Sequence, residues 1–201
     1  MSFTVELLAA FVLFAFVSSI TPGPNNMMLL ASGVNFGFRR SFPHALGVAL
    51  GFGLMVAAVG LGLGAVFTAL PWAYTVLRYA GAAYLLYLAY RIATSGPVGE
   101  GGAGSQRQPM TFLGAAAFQW VNPKAWVMAL GAITTYTPAE GYIANVFVVA
   151  LLFTLVNLPS VCVWVGCGTA LRRLLQERRW VLLFNGLMAA LLVASLYPML
   201  K

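Results

Sequence analysis

Two breaks interrupt the apolar stretches of this chain, one in each half: Thr21-Pro22-Gly23-Pro24-Asn25-Asn26 and Asn122-Pro123-Lys124. Proline removes a backbone N–H and its ring clashes with the turn before it, so neither stretch continues as smooth helix. In hydrocarbon the freed backbone groups are tolerated only where they face protein or a watery cavity. About 13 apolar or small residues follow each break, to Gly37 and to Tyr136, enough for a half-helix of roughly 20 Å. Two half-helices starting near mid-membrane, one per half, are how many secondary transporters build a substrate site. A lone proline reads as a kink that shapes packing. Two prolines, a glycine and two asparagines in one break argue for more than a kink.

That reading requires a membrane protein, and the composition supplies one. Hydrophobic residues make up 61% of the 201 positions and charged residues 7%, against about 25% charged in a soluble domain. The length holds about six spans of ~20 residues with short loops, which leaves no room for a soluble catalytic domain. The first apolar run follows a start without Lys or Arg, and no small-residue cleavage site comes after it. It therefore reads as a retained helix rather than a leader. The expected spans are 3–37, 42–70, 72–93, 111–136, 142–171 and 180–198.

Segment 95–109, rich in Gly, Ser, Pro and Gln, is the one loop-like piece. It divides a single transporter domain, 1–201, into halves of three spans, about 1–94 and 110–201. Three is odd, so the second half begins on the opposite membrane face. With Pro24 laid on Pro123, Phe42 falls on Gly141 and the third spans correspond. The expected fold class is an all-α membrane protein of six transmembrane helices. Its halves form a 3+3 inverted-topology repeat with broken first and fourth helices. The pairs Gly33/Gly37, Gly47/Gly51 and Gly60/Gly64 are small-xxx-small spacings, which let helix backbones approach closely.

The formal charge of +7 belongs to topology rather than to a nucleic-acid partner. Arg39, Arg40, Arg91, Arg107, Arg172, Arg173, Arg178 and Arg179 fall in three short loops on one side of a six-span chain. Glu6, Glu140 and Lys201 fall on the other, with Arg78 slightly inside a span. The positive-inside rule then puts the arginine loops in the cytoplasm and both termini outside. Cys162 and Cys167, five apart in an apolar run, with a single histidine in the chain, make no zinc site. No metal or other cofactor is expected.

Lys124 is the one charged residue expected near mid-membrane. A cation there costs at least about 2.5–3.5 kcal/mol, so it should face a cavity or a partner such as a substrate carboxylate. The half-helix starts at Pro24 and Pro123 carry partial positive charge that also favours a carboxylate. Asn25, Asn26 and Asn122 add amide donors and acceptors. Carbonyls unwound around Thr21 and Val121 are placed to hold an ammonium group. Together these grip a zwitterion. The chain has no Asp, and Glu6, Glu100, Glu140 and Glu177 lie at ends or loops, so neutral substrates are expected. Lys124 and His44 are the titratable candidates for proton coupling, with His44 read as interfacial. Tyr84 and Tyr87, one turn apart, and Arg78 and Tyr90 give the third span a polar face; Asn157 and Pro159 mark a lesser hinge. Without Asp, a second histidine or a P-loop, no hydrolase or kinase constellation exists. No enzyme activity is expected.

Four stretches in order, Ile20-Thr21-Pro22-Gly23-Pro24-Asn25, Gly37-Phe38-Arg39, Gly81-Ala82-Ala83-Tyr84-Leu85 and Asn122-Pro123-Lys124-Ala125, resemble the LysE/RhtB amino-acid exporters over essentially the whole chain. Thr-Pro-Gly-Pro-Asn-Asn with Gly-Ala-Ala-Tyr is similar to the cysteine/O-acetylserine exporter branch. Homoserine, threonine and leucine exporters share most of the same features. The resemblance implies a bacterial inner-membrane protein exporting amino acids by proton-linked antiport, with the quoted positions lining the path. Its implied partners are an amino-acid substrate and membrane lipid, with a homo-oligomer allowed. Basic-amino-acid exporters of the family carry an early acidic residue that is missing here, in line with neutral substrates. A small-solute pore and a membrane scaffold are the rival readings from other classes.

Overall fold

The computed structural model describes residues 3–63, 65, 69, 71–95, 108–175 and 177–197. Among these residues the chain is all helix, with no strand. The elements are α1 (Val5–Ile20), α2 (Pro24–Phe36), α3 (Phe38–Ala58) with a π-helical extension (Val59–Leu63), and α4 (Pro71–Ala93). They continue with α5 (Phe112–Phe118) and its 3-10 turn (Gln119–Val121), α6 (Pro123–Tyr136), α7 (Tyr142–Leu174) and α8 (Arg178–Ala194). Two helices are long and apolar enough to cross a membrane alone, α3 with its extension and α7. The pair α1 and α2, bent by 55° at the first break, together make a third.

The exterior and interior are inverted relative to a water-soluble domain. Val5, Leu54, Val127 and Leu151 are among many large apolar side chains left exposed, as a lipid-facing surface requires. Asn26, Asn35, Gln119, Asn122, Asn157 and Asn185 are buried. This is a multi-pass membrane protein with a polar seam inside. The seam is closed elsewhere by hydrogen bonds between the helices themselves. Asn35 on α2 and Asn185 on α8 exchange two, at 2.8 and 3.0 Å, and Asn185 also donates to the Ser95 carbonyl at 2.8 Å.

Helix α7 is the hub, packing on α1, α2 and α3, while α3 also packs on α5 and α4 packs on α8. Phe153 anchors the largest apolar cluster, with Phe52 and Phe11 edge-on to it at 4.8 and 5.6 Å between ring centres. The expected glycine contacts are present at Gly33, where a Cβ would strike the Val165 carbonyl of α7, and at Gly47 and Gly51, where it would strike α5. Gly37 serves differently. Its φ of 78° lets α3 start directly after α2, four residues earlier than the expected span. Gly60 packs on Val146. Gly64, Glu100, Arg107, Lys201 and most of the 95–109 segment lie outside the described residues.

Two expectations change. The described arginines expected in loops sit in helix termini: Arg39 and Arg40 in the first turn of α3, Arg91 in the last turn of α4, Arg172 and Arg173 in the last of α7, Arg178 and Arg179 in the first of α8. Helix α7 also runs unbroken through Pro159, so no hinge is drawn there. Packing of α7 on α1, α2 and α3 sustains the helix there.

Candidate functional site

The two breaks, about a hundred residues apart in sequence, meet in space. Every carbonyl freed where α1 ends has a donor. Val17 O accepts from the Thr21 amide at 3.1 Å and Ser18 O from the Thr21 hydroxyl at 3.1 Å. Ser19 O accepts from Asn26 Nδ2 at 2.8 Å, and Ile20 O from the indole of Trp164 at 3.1 Å. Asn26 Nδ2 also reaches Thr21 O, at 2.8 Å, so this side chain bridges the break from its far side. Gly23 O takes the Met27 amide at 3.0 Å and restarts the helix. Ser19 and Asn26 are buried, where backbone polar groups need such partners, whereas Thr21 and Pro22 are exposed.

Lys124 completes the set from the second break. Its Nζ donates to Thr21 O at 2.8 Å, to Thr21 Oγ1 at 3.0 Å and to Pro22 O at 3.4 Å. Gly23 makes room for the approach, since a Cβ there would lie 2.8 Å from Lys124 Cδ. The second break is closed by its own sequence. Asn122 caps α6 by accepting from the Lys124 amide at 3.1 Å, and Pro123 fills the first helical position, where no N–H is needed. Asn25 does not face an open site. Its amide and that of Gln119 exchange hydrogen bonds at 2.8 and 3.2 Å. Gln119 is fully buried and also donates to Ala115 O at 2.8 Å.

A cavity of about 30 Å3 lies at this junction, touched by Asn25, Asn26, Asn122, Lys124, Gln119 and Asn157. That is room for a water or two, at about 10–15 Å3 each on this measure. A second cavity, about 460 Å3, lies at the arginine-bearing end, between the C-terminal parts of α2 and α4 and the start of α5. Met28, Ala31, Ser32 and Asn35 line it from one face of α2, with Tyr84, Arg91 and Thr94 opposite. Met28 is one turn from Asn25, so the larger cavity ends close to where the small one begins.

The family profile described as LysE type translocator matches residues 16–195. The chain belongs to the LysE-type translocator family. It is 35% identical over 181 residues to the cysteine/O-acetylserine efflux proteins of Escherichia coli (strain K12) and Shigella sonnei (strain Ss046), which covers 87% of this chain and 88% of each relative. No solved structure matches.

In this translocator the residues expected at the site divide into groups. Thr21, Pro22, Gly23, Pro24, Asn25, Asn26, Asn122, Pro123 and Lys124 converge at the junction. Tyr84 lines the larger cavity and packs on Phe118 at 5.8 Å between ring centres, whereas Tyr87 and Tyr90 are exposed on the outer face of α4. His44, expected near the end of its span, lies inside the protein close to the arginine-bearing end. It is 2% exposed on α3, touches the larger cavity, and neither ring nitrogen has a hydrogen-bond partner. Starting α3 at Phe38 puts His44 in its second turn, facing inward. Two participants had not been expected, Gln119 and Trp164. A glutamine alone in an apolar run, three residues before Asn122, is a signal for the first. The indole of Trp164 reaches Ile20 over 144 positions, and nothing local to Trp164 announces it.

Proposed function

We propose that this translocator exports small neutral amino acids or close derivatives across the bacterial inner membrane by proton antiport. Cysteine and O-acetylserine are the first candidates, because the relatives covering most of the chain carry that name. Homoserine, threonine and leucine come next. The observation that carries the reading is the convergence of both broken helices on one polar junction beneath a larger cavity at the arginine-bearing end. Half-helix starts, paired amides and a lysine supply what a zwitterion needs, and no carboxylate is present there for a basic side chain. With the six-span inverted repeat and cytoplasmic arginines that we also propose, the larger cavity opens toward the compartment that loads an exporter.

Export from cells loaded with dipeptides tests this. Overexpression should speed efflux of at least one of cysteine, O-acetylserine, homoserine, threonine or leucine, and deletion should slow it. Efflux unchanged for all five sinks the reading. A pore would give flux that neither saturates nor responds to a proton gradient, and a junction with room for a water or two already argues against it. A scaffold would keep its function in Lys124→Ala combined with Pro24→Ala.

A further inference from the structure

Lys124 sits where a ligand's ammonium group would be expected. A primary ammonium has three N–H donors, and Lys124 Nζ faces three oxygens, Thr21 O, Thr21 Oγ1 and Pro22 O, at 2.8, 3.0 and 3.4 Å. All three belong to the stretch where α1 has ended and α2 has not begun. The other freed carbonyls there are held by Asn26 and Trp164, groups fixed to neighbouring helices. Lys124 alone among these donors ends a long flexible side chain. The adjacent cavity, about 30 Å3, is lined by Gly23 and Lys124 and not by Thr21 or Pro22, which are exposed and so open to an incoming ammonium.

We propose that the Thr21 and Pro22 oxygens form an exchangeable subsite for a primary ammonium, which Lys124 holds when no ligand is bound. The inference rests on the export reading only for the identity of the natural ligand, the α-ammonium of an amino acid. On loading, that ammonium takes the Thr21 and Pro22 oxygens, and Lys124 swings to the carboxylate one carbon away. The exchange conserves charge, because the junction carries one positive charge with Lys124 alone and one with Lys124 plus a zwitterion. It therefore needs no acidic side chain, and the described interior has none. It also defines the ligand class: a free primary ammonium next to a carboxylate, excluding N-acylated and quaternary amines.

Methylammonium, the end of the lysine side chain without its tether, is the probe, and tetramethylammonium, equal in charge but without N–H donors, is the control. In purified full-length Lys124→Ala, methylammonium should raise the midpoint of thermal unfolding saturably and tetramethylammonium should not. In Lys124→Met, whose apolar end still fills the position, neither should act. Wild type gives a second readout, because Lys124 and Lys201 are its only lysines. With 13Cε-labelled lysine, methylammonium well above the millimolar effective concentration of the tethered group should shift the Lys124 resonance and not that of Lys201. This measurement stands even if Lys124→Ala does not fold. Failure of methylammonium to act selectively on the wild-type resonance, or on a folded Lys124→Ala, overturns the subsite. A methylammonium response with no response to cysteine, O-acetylserine, homoserine, threonine or leucine upholds the subsite and counts against the export reading instead.

Discussion

The side-chain amides of Asn25 and Gln119 exchange two hydrogen bonds across the junction of the two breaks. They tie α2 to the turn that follows α5, and so hold the two halves of the chain together where the small cavity lies. A buried amide that loses its partner costs about 1–3 kcal/mol, whereas replacing both partners with apolar groups costs much less. Gln119→Leu should therefore destabilise by about that amount, and adding Asn25→Leu should recover part of the loss. Thermal unfolding of the two single variants and the double variant measures the coupling. Additivity to within about 0.5 kcal/mol would mean that the pair does not act as a unit.

Backbone contact between α2 and α7 depends on two facing glycines. A Cβ on Gly33 would strike the Val165 carbonyl, and one on Gly168 would strike that of Leu30. Gly33→Ala and Gly168→Ala should each lower stability, by about 1–3 kcal/mol as overpacked positions do. Gly166, two residues from Gly168 on the same helix, has open space at its Cβ position. There the same change should be neutral or gain up to ~1 kcal/mol from helix propensity. Equal losses at positions 166 and 168 would show that helix α7 senses composition rather than contact.

His44 bears on coupling. It is buried against the larger cavity, whose other ionisable lining groups are Arg91 and Tyr84. If it exchanges the antiported proton, His44→Gln should keep substrate exchange between two equal pools and lose net export driven by a proton gradient. Glutamine retains polar atoms of similar reach but does not titrate. Proteoliposomes with an imposed gradient separate the two modes. Gradient-driven export at the wild-type rate in His44→Gln would assign coupling elsewhere.

The breaks were legible because their cause is local. Proline removes a donor wherever it stands, so Pro24 and Pro123 mark helix starts regardless of what surrounds them. Gly33, Gly47 and Gly51 were legible as close contacts for a similar reason, though not the helix each would meet. What sequence could not carry was the identity of partners across the fold. Lys124 reads as facing a cavity or a partner, and it does both, but nothing in the sequence names the partner as Thr21, 103 positions earlier. Asn122 reads as a free amide in sequence, yet its oxygen caps its own helix. His44 reads as interfacial because it follows Pro43 at the end of an expected span. The helix instead starts at Phe38, directly after Gly37, and His44 in its second turn is buried.

The larger cavity makes a graded prediction about access. Thr94, Ser32, Met28 and Asn25 are ordered from the arginine-bearing end toward the junction, the first three lining the larger cavity and the last the smaller one. Single cysteines at these positions, with Cys162 and Cys167 replaced by alanine, can be exposed to a membrane-impermeant thiol reagent in vesicles of either orientation. The positive-inside rule predicts that the arginine-bearing end is cytoplasmic. Reagent on that face should therefore modify Thr94→Cys fastest, Ser32→Cys and Met28→Cys more slowly, and Asn25→Cys least. Reagent on the opposite face should leave the first three untouched, because the junction between them and that face has room for a water or two. A transported substrate should lower the Ser32 and Met28 rates on the cytoplasmic face, as loading carries the protein out of this state. Modification of Met28→Cys from the opposite face at the same rate, with the substrate absent, would contradict the closed junction and return the pore to contention.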